Sequence, residues 1–157
     1  MKTKFNPCLG FTLIELVIVI VIIGIVSAIS APKFFNISVF EERGFYDETL
    51  SAIRFAHKSA IASGCDYRVV INASGYDITK RSGCDSGSFS AITNPATGTG
   101  GFSAAKPNKV SISGSLDFYY DNTGKPFTLA GSEIVSVSSM SVGGRNVRIE
   151  PFTGFIH

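Results

Sequence analysis

The chain has 157 residues, with 14 lysines and arginines against 12 aspartates and glutamates. Two of the basic residues, Lys2 and Lys4, lie among the first ten, so the rest of the chain is balanced in charge. This balance argues against the broadly basic surface of a nucleic-acid-binding protein, and the length leaves room for one globular domain of ordinary size.

The first element in chain order is an apolar segment at residues 11–31, in which Glu15 is the one ionisable residue. As a helix it would be about 31 Å long, which matches the hydrocarbon core of a bilayer. Lys2 and Lys4 precede it without an acid, so we expect a single pass with a cytoplasmic amino terminus. An ordinary signal peptide is cut after its apolar run, whereas the candidate cut here follows Gly10 and would leave Phe11 at the front of the mature chain.

A glutamate within an apolar helix of this kind carries a free-energy cost when the helix enters a membrane. An ionised carboxylate inside a membrane helix costs about 3 kcal/mol on insertion scales, so the side chain needs a cation or a proton. One alternative stays open, because Glu15 lies near the start of the segment. In a plain membrane anchor it would sit at the level of the lipid headgroups and pair with nothing.

Residues 10–15 read Gly-Phe-Thr-Leu-Ile-Glu and precede an apolar run, a pattern that resembles the signature of type IV pilins and of the related pseudopilins of type II secretion. The resemblance implies cleavage between Gly10 and Phe11 by a prepilin peptidase, N-methylation of Phe11, and polymerisation through the helix. It implies that Glu15 meets the free amine of a neighbouring subunit. The implied partners are other pilin subunits, the peptidase and the inner-membrane assembly machinery. The implied location is the inner membrane, and then a periplasmic or extracellular pilus.

Gly24 and Pro32 are two points at which the helix can bend, since glycine costs about 1 kcal/mol in a helix and an interior proline removes one backbone hydrogen bond. In pilins a proline near this place curves or locally melts the long helix, so the resemblance gives both residues a role in assembly. The alternative is that Pro32 lies in the first turn of a new helix.

A second helical pattern covers residues 45–63, followed by Gly64 as the expected carboxyl-terminal cap. Its apolar positions recur at steps of three and four and are Tyr46, Leu50, Ile53, Ala56, Ala60 and Ile61. We interpret residues 32–64 as a continuation of the pilin helix. His57 has no motif around it and is interpreted as a packing residue.

Beyond Gly64 the pattern changes to short strands. Residues 67–71 and 76–78 flank turn residues 72–75 and predict a hairpin. Further strands are predicted at residues 89–92, 110–112, 116–120, 127–129, 134–142, 147–150 and 155–156, whereas residues 93–108 are left without an assignment. The expected fold class is α+β, with an antiparallel β-sheet domain at residues 65–157 packed on the long helix.

The three cysteines fit an exported protein. Cys8 lies in the leader, residues 1–10, and would be removed, which leaves Cys65 and Cys84. A disulfide between them would close a loop of about 20 residues and stabilise the fold by about 3 kcal/mol. Free thiols and a metal site are the alternatives, although two cysteines without a nearby histidine or CxxC spacing are a poor zinc site.

The later part of the chain sharpens the resemblance. Residues 52–62, 116–118, 122–126 and 149–155 resemble minor pilins related to the H-type minor pseudopilin of type II secretion. The initial segment through residue 34 resembles pilins of the mannose-sensitive haemagglutinin pilus. The hypothesis is therefore a structural minor pilin of such a type IV pilus, involved in adhesion. The alternatives are a minor pseudopilin of a type II secretion system and a DNA-binding minor pilin for DNA uptake.

We find no pattern for catalysis, and predict neither an enzyme nor a cofactor or metal site. Residues 98–101 share only their glycines with a phosphate loop, and the acids near residue 120 lack the alternating oxygens of a calcium loop. For the DNA-binding alternative, Arg145 and Arg148 beside a glycine turn are the candidate contacts. Acids interspersed among the basic residues favour ordinary solvated strands.

Overall fold

The computed structural model describes residues 11–34 and 37–157. The chain divides after Ile37 into two compact units, which are taken separately. The described part of the first unit holds helix α1, Leu13–Phe34. The second begins at Ser38 and holds nearly all of helix α2, Ile37–Ser63, together with the β-strands. The predicted leader, with Cys8 and Gly10, lies outside the described residues.

Helix α2 has one buried face and ends at the predicted place. Ala52, Ala56 and Ala60 repeat every fourth residue and are almost fully buried, so these small side chains lie on the face of the helix that packs in the core. Gly64 follows with a φ of +67°, and its N–H donates to the Ala60 carbonyl at 3.0 Å. Ile61, one of the apolar positions at helical spacing, lies near the end of α2 and is 51% exposed, so it does not share the buried face.

Nine strands follow α2, and every pairing between them is antiparallel. They are β1 Tyr67–Asn72, β2 Gly75–Arg81, β3 Phe89–Ala91, β4 Phe102–Ala105, β5 Ile112–Ser113, β6 Leu116–Tyr120, β7 Pro126–Thr128, β8 Ser138–Val142 and β9 Arg145–Ile149. The large sheet has the order β3-β2-β1-β6-β7, with β4 also paired to β2, and the small sheet has the order β5-β8-β9.

The core lies where α2 and the inner faces of both sheets meet. Alternate residues of β1 and β6, such as Val69 and Phe118, are buried as the two-residue period of a half-buried strand requires. Val142 and Ile149 of the small sheet belong to the same cluster of buried side chains as Ile53 of α2. The α+β class predicted from the sequence, a helix packed on an antiparallel sheet domain, is confirmed.

The strand boundaries needed correction in four places. Of the strand predicted at residues 110–112, only Ile112 lies in a strand, at the start of β5. Residues 102–105, left without an assignment, form β4, and residues 134–137 lie before β8 rather than in it. The predicted strand at residues 155–156 is a single bridge between Ile149 and Ile156. In each case the deciding factor is a partner strand, which a local pattern does not identify.

Candidate functional site

Helix α1 is long and apolar enough to cross a membrane. Its 22 residues extend about 33 Å at the usual helical rise. Leu13–Ser30 has a mean hydropathy of 2.9, and none of these residues is buried within the structure. An apolar helix with no buried side chain needs lipid or another protein around it.

Thr12 begins the helix. Its hydroxyl Oγ1 accepts a hydrogen bond from the Glu15 N–H at 3.3 Å, and its carbonyl accepts one from the Leu16 N–H at 3.2 Å. This is the arrangement of an N-cap residue, which satisfies amide donors that the first turn leaves free. Sequence reasoning missed Thr12, although a threonine three residues before a glutamate is a known capping signal.

Glu15 lies in the first turn of α1 and is exposed. The positive end of the helix dipole favours a carboxylate at this position. Among the described residues, none of the ion pairs involves Glu15. Phe11, the expected first residue of the mature chain, is 78% exposed and precedes the cap directly. Phe11 and Glu15 thus flank the start of one helix and are both free to meet another molecule.

Gly24 and Pro32 both lie within α1. A Cβ atom at Gly24 would have no other atom within 4 Å, so the chain itself does not require glycine there. Pro32 lies in the last turn of α1, which continues to Phe34, so a new helix does not begin at this proline. Their role in assembly stays a prediction.

Cys65 and Cys84 are joined by a disulfide. Cys65 directly follows the Gly64 cap and is buried, whereas Cys84 follows the end of β2. The bridge closes the loop that contains the β1–β2 hairpin, and the Asp66 N–H donates to the Cys84 carbonyl at 2.8 Å within it. The bridge therefore ties the end of α2 to the far end of the first hairpin.

Asp66, which directly follows the bridged Cys65, forms an ion pair with Arg81. The Arg81 guanidinium lies 3.0 Å from the Asp66 carboxylate and stacks over the rings of Phe89 and Tyr119, at 4.6 and 5.1 Å from their centroids. Burial raises the pKa of Asp66 above its ordinary value, and this effect outweighs the opposing attraction of Arg81. Arg81 is therefore engaged within the fold.

Arg145 and Arg148 are not brought onto one surface. Both lie on β9, but three residues apart, which places them on opposite faces of the strand. The Arg145 guanidinium lies 5.7 Å from the centroid of the Tyr46 ring on α2, while Arg148 is exposed. A shared DNA contact stays a prediction, and it would need DNA to reach both faces of this strand.

An open cleft of about 400 Å³ lies beside β6. Its two acids, Asp117 and Glu133, are both engaged in ion pairs. Asp117 accepts two hydrogen bonds from the Arg68 guanidinium, at 2.8 and 2.7 Å, and Glu133 lies 3.3 Å from the Lys125 ammonium. The cleft therefore offers no free carboxylate for proton transfer.

Comparison with known proteins gives one family match and two similar proteins. Residues 6–31 match the family described as "Prokaryotic N-terminal methylation motif". The chain is 49% identical over 51 residues to the type IV narrow pilus major component PilA5 of Thermus thermophilus, covering 32% of this chain and 44% of that protein. It is 37% identical over 75 residues to the type IV major pilin protein PilA of Myxococcus xanthus, covering 47% of this chain and 34% of that protein.

The matched regions thus span less than half the length of either relative. No solved structure matches the chain significantly. The segment that matches the methylation motif, residues 6–31, holds Phe11, Thr12 and Glu15.

Proposed function

We propose that this chain is a type IV pilin, on the basis of its methylation motif and its similarity to two pilins, and that it is a structural subunit cut after Gly10 and assembled into a pilus. Its partners are other pilin subunits, and before assembly it is held in the inner membrane by α1. Prepilin peptidase and the inner-membrane assembly machinery act on it in turn. No catalytic role or cofactor is assigned.

The observation that carries the proposal is Glu15 at the start of an apolar helix. The helix has no buried residue in its membrane-length stretch, and its one acid has no ion-pair partner among the described residues. A second subunit supplies what is missing. The amine freed at its Phe11 is the cation for Glu15, and its apolar helix is a surface against which α1 packs. Assembly then gives Glu15 a counter-charge and covers the apolar surface of α1.

The finer assignment rests on resemblance. The likeness of the later segments to H-type minor pseudopilins, and of the initial segment to pilins of the mannose-sensitive haemagglutinin pilus, supports a minor subunit of an adhesive pilus. Both relatives found by comparison are named as major components, so copy number is the quantity to measure. We expect this chain to be a small fraction of the subunits in purified filaments, by quantitative mass spectrometry.

Processing is tested by the mass of the exported chain. We expect it to begin with N-methylated Phe11, and we expect Gly10→Val to retain the leader. An exported product that begins beyond residue 31 would show that α1 is a removed signal sequence.

Assembly is tested at Glu15 with matched variants. Glu15→Val and Glu15→Gln should insert in the membrane as well as the natural chain but enter filaments at least tenfold less, because both remove the charge. Glu15→Asp keeps the charge and should retain part of the incorporation. Normal incorporation of Glu15→Gln would show that charge pairing is not the mechanism.

The same strains separate the two alternatives. A filament confined to the periplasm that supports protein export indicates a type II secretion pseudopilin. Salt-sensitive binding of DNA by the purified chain indicates a DNA-uptake pilin, since each neutralised phosphate releases counterions.

A further inference from the structure

Strands β3 and β4 are two halves of one edge strand. Ala91 of β3 is opposite Thr79 of β2, and Phe102 of β4 is opposite the next residue, Ile78. The positions opposite β2 are therefore filled in order, without a gap, from Arg81 to Gly75. Residues 92–101, which we call the edge loop, leave this strand at Ala91 and return to the adjacent position.

The edge loop is held by its own hydrogen bonds. Thr93 and Gly101 form an antiparallel bridge at its base. Asn94 organises the interior, because its carbonyl accepts from the Gly98 N–H at 2.8 Å and its Oδ1 from the Ala96 N–H at 2.9 Å. The backbone groups of such an insertion hydrogen-bond to one another, so the insertion needs few hydrogen bonds from the rest of the domain.

The other sheet edges in the described part of the chain are covered or short. The outer edge of β7 pairs with residues 132–134, and that of β9 with residues 155–157. Strand β5 has only two residues. The edge strand is longer than these, and among the described residues β2 is its only partner strand.

The edge strand also lacks the usual chemical protection. Its residues read Phe-Ser-Ala and Phe-Ser-Ala-Ala, without a charge or a proline. Edge strands of this kind offer unpaired N–H and C=O groups as a template for a strand of another chain, and proteins commonly block them with lysine, proline or a bulge.

We propose that the edge loop keeps this edge from pairing with the same edge of a second copy. By leaving the strand at its middle, the loop divides seven positions into stretches of three and four residues. Stretches of that length form weak strand pairs. Because the edge strand carries no charge, two copies of it would not repel each other, and a second copy is therefore the partner that the loop excludes. The inference does not depend on the proposed assembly through α1.

The test is deletion of residues 92–101 in the full chain, purified in detergent, with Ala91 joined to Phe102. We expect the Cys65–Cys84 bridge and the protease resistance of the domain to be retained. The protein mass per particle, by light scattering after size exclusion, should at least double relative to the natural chain and rise with concentration.

Two control variants test whether the increase in mass comes from pairing of the uninterrupted edge strand. Replacing the edge loop by ten residues of glycine and serine should leave the mass unchanged, since length alone interrupts the edge. Adding Ser103→Lys to the deletion should return the mass to that of the natural chain, because a lysine on an edge strand blocks its pairing with another strand.

Each remaining outcome decides against the proposal. A deletion variant that is bridged, protease-resistant and of unchanged mass shows that the loop does not protect the edge. A second deletion, of residues 94–100, keeps Thr93 and Gly101 and eases the join. Failure of both deletions to give the bridged domain shows that the edge loop is not an insertion in a continuous strand.

Discussion

The hydroxyl of Tyr120 donates a 2.9 Å hydrogen bond to the carbonyl oxygen of Gly154. Tyr120 is buried on β6 of the large sheet, and Gly154 precedes the residues that pair with β9 of the small sheet. One buried hydroxyl thus links the two sheets. Burial raises the pKa of Tyr120 above its ordinary value, so this hydroxyl stays protonated and able to donate.

We expect Tyr120→Phe to lower the free energy of unfolding by about 1–3 kcal/mol, because the buried Gly154 carbonyl loses this donor. Urea unfolding of the full chain in detergent, followed by circular dichroism, measures the change. Tyr119→Phe is the matched control, since among the described residues the Tyr119 hydroxyl makes no hydrogen bond, and it should change stability by less than about 0.5 kcal/mol. Equal effects of the two variants would show that the bond to Gly154 contributes nothing.

Gly154 itself should tolerate no side chain. Its φ is +64°, and a Cβ atom there would collide with the Gly124 carbonyl oxygen and the Tyr120 ring. Gly98 has a similar φ of +71° but no atom within 4 Å of the Cβ position. We expect Gly98→Ala to cost about 1 kcal/mol for backbone strain alone, and Gly154→Ala at least about 2 kcal/mol more because of the collision. Unfolding midpoints of the two variants give the comparison, and similar losses would contradict a tight contact at Gly154.

Removal of the disulfide should destabilise the domain without changing its fold. The Cys65→Ala/Cys84→Ala double variant should lose about 3 kcal/mol, since the unfolded chain regains the freedom of a loop of about 20 residues. Its unfolding should no longer respond to reductant, whereas that of the natural chain and of Cys8→Ala should. An unchanged midpoint in the double variant would mean that the bridge does not constrain the unfolded state.

The pKa of Asp66 should lie above its ordinary value of 3.8. The folded state then holds this proton more tightly than the unfolded chain does. The contribution of Asp66 to stability is therefore present below pH 3.8 and is lost as the pH rises through the raised pKa. Asp66→Asn should remove this part of the pH dependence.

Arg81→Gln provides the complementary test, because the Arg81 charge lowers the pKa of Asp66. We expect a further rise of the Asp66 pKa in this variant, measured by nuclear magnetic resonance titration of its carboxyl carbon. A fall would show that desolvation by the stacked guanidinium outweighs its attraction.

The fold could be predicted where the residues that determine an element are neighbours in the sequence. The β1–β2 hairpin could be identified from the sequence because its turn chemistry is contiguous, with the Asn72 side chain accepting from the Ser74 N–H at 2.8 Å. The end of α2 at Gly64 is equally local. Strand β4 was missed because alanine and serine have weak strand preference, and its partner β2 lies more than twenty residues away in sequence.

The residues of the candidate site likewise fall into those that the local sequence identifies and those that depend on the fold. Gly10, Phe11 and Glu15 could be identified because the motif is continuous, and Thr12 could have been added from the capping spacing. The separation of Arg145 and Arg148 to opposite faces of β9 depends on the strand register, which residue spacing indicates only once the strand is known. The partner that we propose for Glu15 is the amine of a second subunit, so the residues of one chain do not identify it.

The edge loop also offers a place to attach a reporter. Thr93 and Gly101 are bridged at its base, and the residues between them are almost all exposed, so an epitope or a fluorescent dye inserted there would be carried away from the core. A label fused after His157 would instead extend the segment that hydrogen-bonds to β9. A label on this protein is therefore better inserted between residues 96 and 99 than fused as a tail.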